Sequence, residues 1–185
     1  MFESIQEKGY SLVKSKLMRA QYFLNGLQRE QLVTQEWLAN LDGFLFEIIS
    51  AKDFFFQSIN DKYKLGLTKR TATDPRLLMR CLKCKGHTQA FNVIKEINSD
   101  LEKKTWLNRL NMYRNTATHK DIVPVLVHVN IGLEPEVKTT VHLYKDPEKR
   151  NNDYDDIDAR DYCQQSLEKI SDYLLSHIIK ISENL

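Results

Sequence analysis

Apolar positions recur at spacings of three and four along most of the chain. Leu12, Val13, Leu17, Ala20, Leu24 and Leu27 form one such stripe, which predicts a first helix fraying or ending near Gly26. From Leu32 to Ile59, a longer segment sets Trp37, Leu41, Phe44, Ile48, Phe55 and Ile59 on one face, and Leu38, Leu45, Ile49 and Phe56 widen it. So broad a face predicts a helix covered on two sides, as in the middle of a bundle. Asn60, Asp61, Gly66 and Asp74-Pro75 break the pattern, with Asp74 as N-cap and Pro75 at the first helical position of a third segment. That segment runs toward Asn98, and Gly86 offers an interruption. Asn98-Ser99-Asp100, helped by Glu102, has N-cap chemistry for a fourth helix over Leu101 to His119.

After His119 the character changes. Val123 to Ile131 is β-branched with partial alternation, 132–136 is a connector, and Val137 to Tyr144 reads as a return strand. Asp146 to Asp156 is a polar, acidic loop. A final helix from Asp158 to Ile181 carries Tyr162, Leu167, Ile170, Tyr173, Leu174, His177, Ile178 and Ile181 on its apolar face. No repeat or linker divides the chain. The expected fold is therefore mainly α, an up-and-down bundle of four to five helices forming a single domain over 1–185. A β-hairpin at about 123–144 is inserted before the last helix.

Composition narrows the function classes. The 185 residues are 42% hydrophobic and 28% charged, enough for a real core and unlike a disordered or fibrous chain. Lys plus Arg is 27 against 25 for Asp plus Glu, so any affinity for nucleic acid must come from local clusters. The longest apolar stretch, Phe44 to Ile49, is far short of the ~20 residues that cross a bilayer. Met1 to Lys8 has neither a basic n-region nor an apolar h-region, so a cytoplasmic location without membrane attachment is expected. Three cysteines are too few and too odd for a disulfide framework and read as reduced thiols. Cys81 and Cys84, followed by His87, have the look of a metal knuckle but lack a second ligand pair, and a spacing of three is simply one helix face. The other histidines lie in strands or helices without paired spacing. No metal and no cofactor is expected.

The segment Tyr113-Arg114-Asn115-Thr116-Ala117-Thr118-His119-Lys120 stands out at the end of the fourth helix. It resembles the R-x(4–6)-H motif of the HEPN superfamily (higher eukaryotes and prokaryotes nucleotide-binding), including the polar residue that commonly follows its Arg. HEPN domains are helical bundles carrying the motif near the last long helix pair, and the helical order here is similar. The hairpin departs from a minimal HEPN bundle and leaves the subfamily open. Helical geometry gives a separate argument: Trp106, Leu110, Tyr113 and Ala117 fall within about 60° of one another and form the expected core seam. Asn115 and His119, four residues apart, fall on the opposite face with Asn108, Asn111 and Met112. Arg114 lies about 100° round from Asn115, near enough for its long side chain to bend toward that face.

These residue types suit metal-free RNA cleavage. The ribose 2′-OH attacks its own adjacent phosphorus, so a catalyst need only move protons and stabilise a dianionic transition state. An imidazole such as His119, with an ordinary pKa near ~6.5, takes or gives a proton at neutral pH. Arg114 can grip phosphate bidentately, and Asn115 can orient the phosphate or the histidine. The resemblance implies an endoribonuclease acting as a toxin or in phage defence, a homodimer in which two motifs face one cleft, and a cognate antitoxin as a further partner. A non-catalytic HEPN-like bundle binding RNA, a nucleotide or a protein is the alternative, and an interaction module with accidental spacing is a third.

Between Lys62 and Lys85, basic residues outnumber acidic ones, and Lys69, Arg70, Arg76, Arg80 and Lys83 form a candidate RNA-binding track with Tyr63 available for stacking. The alternative is a helix face kept soluble by its charges. Residues 146–161 are the acidic counterweight. Glu47, inside the apolar run of the second helix, is a candidate brace for Arg114, because acidic residues on a neighbouring helix do this in some HEPN families. Otherwise it reaches solvent from the helix flank.

Overall fold

The structure, a computed structural model, describes residues 5–30, 32–103, 105–119, 123–130, 138–147 and 153–182, with backbone alone for 5–9, 119, 130, 138 and 182. Among the described residues there are six α-helices: α1 (Ile5–Arg29), α2 (Gln35–Lys62), α3 (Pro75–Cys84), α4 (Thr88–Glu102), α5 (Trp106–His119) and α6 (Ala159–Ser182). Strands β1 (Val125–Asn130) and β2 (Lys138–Leu143) form the antiparallel hairpin before α6. The mainly helical bundle with one hairpin insertion is the expected fold. Among the described residues, no helix is long and apolar enough to cross a membrane.

α2 is the central element, packed by α1, α5 and α6. Trp37, Leu41, Phe44, Leu45, Ile48, Ile49, Phe55, Phe56 and Ile59 are all buried, which is why its apolar face had to be so broad. Thr34 caps its start, accepting the Trp37 N–H at 3.0 Å, a contact worth about 1 kcal/mol. Asn60 fixes its exit: the side-chain amide donates to the Leu67 carbonyl at 3.2 Å and accepts the Leu67 N–H at 3.0 Å.

Gly26 does not end α1, which continues to Arg29. Its role is clearance, since a Cβ there would lie 2.6 Å from the Asn40 side chain of α2. The third segment does divide at Gly86, whose φ of +76° terminates α3 in the left-handed region. Asp74 caps α3 as expected, accepting the Arg76 N–H at 2.8 Å with Pro75 next to it. The fourth predicted helix is displaced: Asn98-Ser99-Asp100 lie inside α4, and α5 begins only at Trp106. Thr105 takes over the capping at that break, its hydroxyl accepting the Asn108 N–H at 3.4 Å.

Candidate functional site

α5 is anchored by Leu107, Leu110, Tyr113 and Thr116, all buried, while Trp106 and Ala117 from the expected seam are half-buried. Next to that seam, Arg114 is turned into the α2–α5 interface. Its Nη2 lies 3.6 Å from Asp53 Oδ2 on α2, and both side chains keep 23% of their surface exposed. The other oxygen, Oδ1, receives the Lys52 ammonium at 3.0 Å. Lys52 is itself buried and sits 5.4 Å from the Phe56 ring centre. One carboxylate thus holds two cations. The trio keeps a net positive charge, and the Arg114 Nε is itself buried, with no hydrogen-bond acceptor among the described residues. A guanidinium held by charge at 3.6 Å, with 23% of the side chain still exposed, suits an incoming anion.

Asn115 is exposed, one residue on. Thr116 and Thr118 return their hydroxyls to the helix, donating to Met112 O at 3.1 Å and Arg114 O at 2.8 Å. His119 is the last residue of α5, one helical turn beyond Asn115. Its side chain, with Lys120, lies outside the described residues. The neighbours expected on this face are less free than the wheel suggests: Asn111 and Met112 are half-buried, and the Asn108 amide donates back to the Leu101 carbonyl at 2.5 Å.

Glu47 is not the brace of Arg114. It is buried against α1, with Lys16 Nζ at 2.7 Å and Arg19 Nη1 at 3.8 Å. Asp53 is six residues further along, so it projects about 120° away from Glu47 and faces α5 instead. The sequence signal for the true partner was Lys52-Asp53, a charged pair between Ala51 and Phe54-Phe55-Phe56.

The basic residues also find their places. Arg76, Arg80 and Lys83 are exposed along one face of α3, opposite buried Leu78 and Leu82. Lys69 and Arg70 are exposed on the turn before α3, and the Lys69 carbonyl accepts from Gln57 Nε2 at 3.5 Å. Gln57 follows Asp53 by one turn of α2, so this turn is tied to the helix about 6 Å along from the Arg114 brace. Arg76 is partly committed, pairing with Glu102 at 2.8 Å. Tyr63 is not a free stacking platform, because it packs on His87 with ring centres 4.5 Å apart.

Much of the acidic counterweight is internal. Asp155 pairs with Arg109 of α5, whose Nε and Nη2 also donate to the Tyr113 hydroxyl at 3.1 Å each. The Tyr113 hydroxyl in turn donates to the Tyr144 carbonyl at the base of the hairpin, and burial pushes its pKa well above the ordinary value. Asp158 accepts the Arg160 N–H at 2.8 Å and the Val141 N–H at 3.0 Å. Asp153 pairs with Lys145 at 2.8 Å. Glu148 lies outside the described residues. Arg109 escaped notice in the sequence because its acidic partner is 46 positions away.

Among the described residues no three His, Cys, Asp or Glu side chains converge to hold a metal ion, so Cys81, Cys84 and His87 do not form a knuckle. All three cysteines are free thiols. No protein-family model, curated protein or solved structure matches the chain.

Proposed function

We propose that the chain is a metal-independent endoribonuclease of HEPN type, cleaving RNA through attack of the 2′-OH. The observation that carries this reading is the Arg114–Asp53–Lys52 arrangement. A partly exposed guanidinium is held in a locally cationic setting, one residue before exposed Asn115 and five before His119. Arg114 grips the scissile phosphate and neutralises charge growing on its oxygens. Asn115 orients the phosphate, and His119 moves the proton. Lys69 and Arg70, then Arg80 and Lys83, contact flanking phosphates.

Two chains facing each other across the Asn111, Asn115 and His119 surface bring two motifs into one cleft. A role as a toxin or phage-defence effector, with an antitoxin partner, rests on the HEPN resemblance alone. His119→Ala tests the proposal: RNA cleavage falls about 10²–10⁴-fold while the helical fold is kept. Unchanged cleavage in that variant overturns it in favour of a non-catalytic bundle.

A further inference from the structure

The hairpin carries two of the five histidines. In its register His142 stands opposite Leu126 and His128 opposite Thr140, so both imidazoles lie on one face as diagonal neighbours. Their ring centres are 5.3 Å apart. Tyr154, from the segment leading into α6, closes a triangle at 6.0 Å from His128 and 5.5 Å from His142. The His142 Nδ1 lies 2.7 Å from the Asp155 carbonyl oxygen. A carbonyl can only accept, so Nδ1 holds the proton of the neutral ring and Nε2 keeps a free lone pair. This is the contact that commonly orients metal-binding histidines.

The ring-centre separation, with the two planes at 85° to each other, is that of a pair sharing an ion. A metal at ~2.1 Å from an imidazole nitrogen lies roughly 3.2 Å from the ring centre, so two imidazoles on a tetrahedral ion hold their centres about 5.2 Å apart. His128 is exposed and His142 half-buried, which leaves the pair open to solvent. The two residues are fourteen positions apart, so only the strand register brings them together.

We propose that His128 and His142 bind one borderline divalent transition-metal ion, Zn²⁺ or Cu²⁺, with water completing the coordination. Imidazole nitrogens favour these ions, Cu²⁺ the more tightly. The ion cross-links β1 and β2 beside Tyr154, and Asp155 carries that clamp to Arg109 on α5.

Calorimetric titration of the metal-stripped full-length chain with Zn²⁺, and separately with Cu²⁺, tests this. One ion per chain is expected, with affinity reduced at least about tenfold by either His128→Gln or His142→Gln. The double variant Cys81→Ser, Cys84→Ser should bind as the wild type does. Binding that survives in the double histidine variant, or that disappears with the cysteines, overturns the proposal. So does wild-type protein that takes up no ion at millimolar concentration, which leaves the three rings as an edge-to-face packing cluster. Circular dichroism verifies the fold of each variant. Should His142→Gln fail to fold, His128→Gln, at an exposed position, decides the question alone.

Discussion

Asp53 and Arg114 meet across the α2–α5 interface at 3.6 Å, and the same carboxylate holds buried Lys52 at 3.0 Å. Removing this charge leaves an ammonium uncompensated in the interior. Asp53→Asn should therefore cost about 1–3 kcal/mol of stability, measured by chemical denaturation. It should also reduce kcat of RNA cleavage more than it raises KM, because the guanidinium gains freedom without losing its charge. A variant as stable as the wild type would show that the carboxylate does not carry this load.

Cleaved RNA should end in a 2′,3′-cyclic phosphate, or its hydrolysed 3′-phosphate, and a 5′-hydroxyl. With Arg114 and Asn115 holding the phosphate and His119 taking the proton, the attacking group of the proposed mechanism is the adjacent 2′-OH. RNA with 2′-deoxy or 2′-O-methyl at the scissile position should resist. Arg114→Lys should stay badly impaired, since a point ammonium cannot reproduce the planar fork. Mass spectrometry of the fragments decides: 5′-phosphate and 3′-hydroxyl ends contradict this chemistry.

Cleavage should survive EDTA. Phosphate grip and proton transfer are both assigned to side chains, and the hairpin ion lies outside those roles. Activity killed by EDTA and restored by zinc or magnesium would return the mechanism to a metal.

The chain should be a homodimer at micromolar concentration, joined through the face bearing Asn111, Asn115 and His119. Light scattering is the direct measurement. Asn115→Arg places two like charges across that contact and should shift the equilibrium to monomer. A wild-type monomer at these concentrations counts against a shared cleft.

Stability should respond to pH through two opposed groups. Burial lowers the pKa of His177, whose ring nitrogens both lack hydrogen-bond partners, against the opposing pull of Glu96 and Asp100 on α4 and alongside Lys180 on α6. The unfolded chain takes up that proton first, near pH ~6.5, so the His177 contribution is present above that value and lost as pH falls below it. Asp42 acts in the other direction: burial raises its pKa to about 6. The folded state there binds the proton more tightly, so stability is lost as pH rises from about 4 to 6. His177→Leu should flatten the acid limb of stability between pH 7 and 5. Asp42→Asn should gain about 1 kcal/mol at pH 7.5, a figure reduced for its partial exposure. Denaturant midpoints across pH read both effects, and parallel curves for wild type and His177→Leu would remove His177 from the account.

The parts legible in the sequence were those fixed by local chemistry. The breadth of the α2 face, the Asp74-Pro75 start of α3, the turn at Gly86 and the two strands each follow from nearby residues. Pairings across elements were not legible. Glu47 and Asp53 are both acids in an apolar helix, and only the direction of packing tells which of them faces α1 and which faces α5. Tyr63 looked available until His87, 24 positions on, covered it. Asn98-Ser99-Asp100 had good capping chemistry, yet Ile94 and Ile97 are buried and carry α4 straight through it. The acidic partner of Arg114, Asp53, had to be read from the fold.

Arg160 sits at the first turn of α6 and donates to the carbonyls of Leu27 at 3.2 Å, Glu30 at 3.1 Å and Thr139 at 3.4 Å. Leu27 lies in the last turn of α1 and Glu30 directly follows that helix, where carbonyls have no helical partner of their own. Donor and acceptors are 133 and 130 positions apart. During vectorial synthesis at about 5–20 residues per second, that interval is roughly 7–26 s. Over that time these two carbonyls lack the donor that the folded chain gives them. Arrival of Arg160 supplies it, so this end of α1 is completed only once α6 has begun.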